Sequence, residues 1–124
     1  MVIAVDFDGT VVTHRYPQIG VDIKAVPVLK KIVDAGHQIV LHTMRSGKEL
    51  EEAVAWFTEN EIPLYGVNEN PDQKSWTASP KVHAQIYIDD AALGAPTLFV
   101  EEMSARPFIC WAKVEDMLKE NGII

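Results

Sequence analysis

Four apolar residues near the start of the chain, Val2 to Val5, run without a polar break into D-F-D-G-T at positions 6 to 10. Such a run, closed by an acidic glycine-bearing turn, reads as a buried strand that ends abruptly. After an irregular stretch from Val11 to Val21, apolar residues recur at helical spacing at Val26, Leu29, Ile32 and Val33. Pro27 is tolerable there only in a first turn, and Gly36 supplies the stop. H-Q-I-V-L-H-T, His37 to Thr43, predicts a second strand. Ser46 followed by Glu49 predicts a capping box, opening a helix that buries Leu50, Ala53, Val54 and Phe57. A third strand is expected over Pro63–Val67, then a polar loop over Asn68–Pro80 with a short helix near Lys81–His83. A fourth strand over Gln85–Ile88 again empties into acid, at Asp89 and Asp90. Thr97–Val100 reads as a fifth, and Trp111–Asn121 as a closing helix with Val114, Met117 and Leu118 inward and Gly122 behind it.

Strands alternating with helices imply right-handed crossovers and a parallel sheet. The expected fold class is therefore α/β: a three-layer sandwich around a central, mostly parallel five-stranded sheet, in one domain spanning residues 1–124. That length suits a single core, and no stretch is rich enough in Ser, Gly or Pro to serve as a linker.

A net charge of -7 with dispersed Lys and Arg argues against general nucleic-acid binding. No apolar run approaches a membrane span, and a core strand directly follows Met1 without a leader pattern, so the expected location is cytoplasmic. Cys110, the only cysteine, lies in F-I-C-W and reads as a small core residue, which leaves no disulfide within the chain.

Parallel topology gathers the ends of strands one, two and four on one rim, where Asp6, Asp8, Thr43, Asp89 and Asp90 converge. Carboxylates crowded there repel unless a cation sits among them, and Mg2+, which takes a few carboxylates with water and phosphate, suits the set.

D-F-D-G-T resembles the first motif of the haloacid dehalogenase superfamily of phosphotransferases, Asp-x-Asp-x-Thr or Val at the end of the first strand. The later motifs have candidates in the same order: Thr43 closing the second strand, Lys81 before the fourth, and Asp89-Asp90 closing it. The resemblance covers Val2 to Asp90 and implies a Mg2+-dependent phosphohydrolase with an aspartyl-phosphate intermediate. Asp6 is the implied nucleophile and Asp8 the implied general acid and base. Asp6, the backbone carbonyl of Asp8, and Asp89 are the implied metal ligands. Thr43 is the implied phosphate holder, and Lys81, with Lys74 as competitor, the implied cation beside Asp6.

The gaps in which that superfamily inserts a cap are short here, which implies an open site. It suits either a large phosphorylated substrate or a small one covered by a second copy of the chain. Arg45 reads equally as a substrate contact or a solvated loop cation, while Asp90 is placed to orient waters or a backbone amide. His14, Arg15, Asn68, Asn70 and Trp76 are positioned to touch substrate, and His42 reads as a packed or partly exposed histidine rather than a catalyst. Two other readings stand beside this one: a receiver-like signalling domain, whose phosphoacceptor belongs after the third strand, and a catalytically silent binder of phospho-ligands. A dinucleotide fold is disfavoured, because no G-x-G-x-x-G follows the first strand.

Overall fold

The computed structural model describes residues 1–124. The opening apolar run forms β1 (Val2–Val5), followed by α1 (Ala25–Asp34), β2 (Gln38–Leu41), α2 (Gly47–Glu59) and β3 (Gly66–Val67). A 3-10 turn at Gln73–Ser75 precedes β4 (Ile86–Ile88), β5 (Thr97–Leu98), β6 (Phe108–Ile109) and α3 (Trp111–Glu120). β1 pairs in parallel with β2 and with β4, and β2 with β3, giving the order β3-β2-β1-β4. No helix is long and apolar enough to cross a membrane.

The sheet has four strands rather than the expected five. Thr97-Leu98 pairs antiparallel with Phe108-Ile109 in a separate two-stranded ribbon. The chain turns tightly after the acidic pair, with the Ala92 amide on the Asp89 carbonyl and the Ala95 amide on that of Ala92. Phe108-Ile109, part of an apolar run with no strand assigned to it, then becomes the partner of Thr97-Leu98.

The expected three layers are also not formed. Side chains alternate across a strand, and Ile3, Val5, Ile39 and Leu41 share one core with Leu29 and Ile32 of α1, Phe57 of α2, and Trp111, Val114 and Leu118 of α3. All three helices therefore cover one face. On the other, Ala4 and Val40 meet only Val82, with Val2, Tyr65 and Ala84 around them. The return from β3 to β4 runs opposite to the earlier crossovers, so a right-handed connection must pass over that second face. Residues 68–85 make the passage as loop and 3-10 turn, not as a helix.

Gln73 holds this loop in place. Buried at 6 % exposure, it donates from Nε2 to the carbonyls of Ser79 and Lys81 and accepts the His83 amide. The short helix expected at Lys81–His83 is absent because these backbone groups are already engaged by Gln73. Smaller differences are local. α1 buries Ala25 and Val28 along with Leu29 and Ile32, and Asp22 caps it by accepting the Lys24 and Ala25 amides. Ser46 sits at the N-cap of α2 without a side-chain cap, so the capping box is not made. Met117 is 47 % exposed, not inward.

Candidate active site

β1 delivers the acidic turn, and Phe7 anchors it. Between two aspartates that face the cleft, the Phe7 ring is buried and packs edge-on to Trp56 at 5.9 Å and tilted to Phe57 at 6.2 Å. The Thr10 and Val11 amides both return to the Phe7 carbonyl. The Trp111 indole N–H donates to the Thr10 carbonyl at 2.7 Å, and the Ile109 amide to that of Gly9. The turn is thus tied to α3 and β6 as well as to its own strand. Val11 to Val21 closes as a loop, with the Thr13 amide on the Val21 carbonyl at 3.0 Å and the Val21 amide on the Thr13 hydroxyl at 3.1 Å. His14, Arg15 and Tyr16 occupy that loop.

These elements enclose an open cleft of about 720 Å3, lined by Asp6, Asp8, Thr43, Arg45, Asp89 and Asp90, with His14, Arg15, Tyr16 and Arg106 also on its wall. Carboxylate oxygens of Asp6, Asp89 and Asp90 lie within 4.8 Å of one another. Burial pushes the Asp6 carboxyl from its ordinary 3.8 up to about 7, the Asp89 charge adds to the rise, and the Thr10 hydroxyl opposes it. That hydroxyl lies 2.7 Å from Asp6 Oδ2 and 3.3 Å from Asp90 Oδ1, and it accepts the Asp90 amide. Its one proton can serve only one carboxylate, and the shorter contact assigns it to Asp6. Asp89 Oδ1 accepts the Ala91 amide at 2.8 Å. Three hard oxygen donors so placed, with no lysine or arginine ion-paired to them, form a set that a divalent cation fits.

Gly9 makes this packing feasible. Its φ is +77°, and a Cβ there would lie 2.1 Å from His14 Nε2 and 2.7 Å from Asp90 Oδ2. His14 Nε2 stands 3.0 Å from Asp90 Oδ2 and 3.1 Å from the Pro107 carbonyl. Arg106 Nη2 is 3.1 Å from His14 Nδ1. A guanidinium only donates, so Nδ1 accepts and the ring proton sits on Nε2, directed at Asp90 and Pro107.

Arg45 departs from both expected readings, and its partner is Asp8. The Arg45 side chain is 1 % exposed and grips Asp8 with both arms of its fork, Nε to Oδ2 at 2.8 Å and Nη2 to Oδ1 at 2.7 Å. Its remaining donors meet the carbonyls of Pro17, Gln18 and Glu49. The guanidinium also stacks between Phe7 and Tyr16, 5.0 and 5.1 Å from their ring centres. The Asp8 hydrogen bonds hold the guanidinium pKa above its ordinary value despite burial. Arg45 is therefore neither a free substrate contact nor a solvated cation. The Asp8 side chain belongs to this pair and lies outside the carboxylate trio, in which Asp90 takes the third place.

Thr43 reaches the cleft, but its amide is already bound to Asn68 Oδ1 at 2.8 Å and its hydroxyl oxygen accepts the Arg45 amide. Only its hydroxyl proton stays free for a ligand. Lys81 does not meet Asp6. Val82 next to it turns into the core, and the Lys81 ammonium sits 5.7 Å from the centre of the Tyr87 ring without pairing to any aspartate. Lys74 pairs with Glu69 at 3.6 Å on the exposed loop. Asn70 is buried as a loop staple, bound to the His83 carbonyl and the Asp72 amide, and Trp76 packs on His83. Neither lines the acidic cleft. His42 packs against Tyr87, as its reading implied. Arg106, which orients His14, was not among the expected residues. It lies on an aperiodic segment more than ninety positions from its partner, where neither spacing nor composition marks it.

No family model matches the chain, and a search of curated proteins finds no match. Among solved structures, the conserved protein coded by a locus of Bacteroides thetaiotaomicron is similar over 98 % of this chain and 91 % of its own, at 35 % identity and a TM-score of 0.79.

Proposed function

We propose that this chain, which belongs to the same family as that conserved Bacteroides thetaiotaomicron protein, is a Mg2+-dependent phosphohydrolase of the haloacid dehalogenase type, working through an aspartyl phosphate on Asp6. The observation that carries this reading is the meeting of Asp6, Asp89 and Asp90, from two strand ends, within 4.8 Å and without a cationic side chain among them. Asp6, Asp89 and Asp90 would hold the Mg2+, which would supply the charge that keeps Asp6 anionic and offsets the oxygens of an incoming phosphate.

An Asp6 oxygen attacks phosphorus, and the bond from phosphorus to the leaving oxygen breaks. Water then attacks the same phosphorus, releasing Asp6 and free phosphate. Thr10 directs its proton at the Asp6 oxygen it contacts and so orients the nucleophile. Both Asp8 oxygens accept from Arg45, which fixes the carboxylate at the cleft wall, and a remaining lone pair of Asp8 receives the proton of the hydrolytic water. Leaving groups that depart as anions suit such a residue best, so aryl phosphates are the favoured first substrates. The Thr43 hydroxyl donates to a phosphate oxygen.

Turnover of p-nitrophenyl phosphate tests the reading. Activity is expected with Mg2+, lost on chelation and restored by adding Mg2+ back. Asp6→Asn should lower it by about a thousandfold or more, the scale for losing a covalent nucleophile. Equal rates in metal-free and Mg2+ buffer would exclude the proposal.

A further inference from the structure

The chain has eight lysines and three arginines, and all three arginines, with none of the lysines, line the acidic cleft. Cations that serve only to balance the negative surface need not sort by type. Arginine differs from lysine in presenting a planar fork that matches carboxylate and phosphate oxygens two at a time. Arg45 is consumed by Asp8 and the carbonyls around it. Arg15 is exposed and enters no ion pair. Arg106 is exposed and uses one nitrogen on His14, a contact that anchors it while leaving its other donors free. Beside them, Tyr16 is 62 % exposed and has Arg45 against its ring, and Met44 is 99 % exposed. The cleft thus has an acidic floor suited to a metal and a mouth where Arg15 and Arg106 keep free guanidinium donors next to an apolar shelf.

We infer that the site takes a phosphomonoester carrying a second oxyanion, a carboxylate or another phosphate, on a flat unsaturated body, with Arg15 and Arg106 reading that second charge. This rests on the phosphohydrolase reading and specifies its substrate class. The reacting phosphate meets the metal-binding floor, and the body lies along Tyr16 and Met44. The distal oxyanion takes the free forks. The wall makes the mouth selective: an uncharged extension would leave both guanidinium groups with water, while a second anion gains charge-assisted bonds. Arg106, held in place by His14, loses less freedom on binding than an untethered side chain.

The test compares p-carboxyphenyl phosphate and p-phenylene bisphosphate with p-carbamoylphenyl phosphate, which has nearly the carboxylate's shape without its charge. With Mg2+ present, kcat/KM for either compound with a second anionic group is expected to exceed that for the carbamoyl compound by about tenfold, a fair yield for one charge-assisted bidentate contact. The two anionic arms show whether carboxylate or phosphate is preferred. Arg15→Gln and Arg106→Gln should each reduce the ratio severalfold and the pair should bring it near unity, while Lys113→Gln, on the exposed side of α3, should leave it unchanged. Calorimetry with p-carboxyphenylphosphonate against phenylphosphonate reads the same preference without turnover. Turnover with no charge preference in either assay would overturn the inference and leave the phosphohydrolase standing. Binding preference without Mg2+-dependent turnover would support the mouth and sink the hydrolase.

Discussion

Replacing Asp6 by Asn should stabilise the metal-free chain at neutral and alkaline pH, although the residue sits at the heart of the site. Burial and the Asp89 charge raise its carboxyl from 3.8 to about 7. The folded state therefore holds the Asp6 proton more tightly than the unfolded state does. That contribution is fully present below about pH 4 and is lost as pH rises through about 7. At 1.36 kcal/mol per pKa unit, the loss amounts to roughly 4 kcal/mol. Asn removes it but exchanges the charge-assisted bond from Thr10 for a neutral one, a cost of about 1 kcal/mol. A net gain of roughly 3 kcal/mol at pH 8 follows, a melting shift on the order of 10 °C for a chain of this size. Near pH 4 the two proteins should melt within a few degrees of each other. Urea and thermal melts in chelator at both pH values measure this. Added Mg2+ should close the gap at pH 8 at a hundred times its Kd, where it stabilises by about 2.7 kcal/mol, and reverse the order at a thousand times, where it stabilises by about 4.1 kcal/mol, since only the wild-type floor is intact. A variant less stable than wild type at pH 8 without metal, or an equal difference at both pH values, would refute the reasoning.

Arg45→Met should cost about 3–5 kcal/mol in a urea melt, because it strands Asp8 beside three carbonyls that lose their donors. Arg45→Lys should retain more stability yet lower kcat more than it raises KM, since an ammonium cannot hold both Asp8 oxygens. Gly9→Ala should displace His14 and Asp90, which calorimetry would record as at least about tenfold weaker Mg2+ binding, a loss on the scale of disrupting groups that orient metal ligands. Lys81→Ala should change p-nitrophenyl phosphate turnover by less than about twofold, since an exposed charge that pairs with no aspartate contributes little. A hundredfold loss would return Lys81 to the site.

Local chemistry was legible from the letters where an element carries its own signal. β1 and its turn are readable because Val2–Val5 is apolar throughout and the two aspartates follow without a spacer. α2 is readable because Ala53 and Phe57 repeat at the helical interval. The side chain of Lys81 was not readable, since its direction depends on Val82 turning inward and on Gln73 holding the backbone from eight residues away. The fifth strand was misplaced for a related reason: Thr97-Leu98 has no register until Phe108-Ile109 folds back on it. Arg45 shows the limit most clearly. Its burial requires Asp8 and three carbonyls from two other segments, and no spacing within L-H-T-M-R announces them. Asp6, Asp89 and Asp90 were foreseeable as a group because parallel strands end on a common rim, whereas the pairing of the Asp8 side chain with Arg45 follows from that unannounced burial.

The most direct measurement is the mass of the peptide containing Asp6 after the chain is mixed with an aryl phosphate and quenched in acid within a single turnover. A phosphoryl group is expected on Asp6 when Mg2+ is present, absent when it is chelated, and absent from Asp6→Asn. Substrate consumed at full rate with Asp6 unmodified throughout, or a phosphoryl group on another residue, would contradict the account.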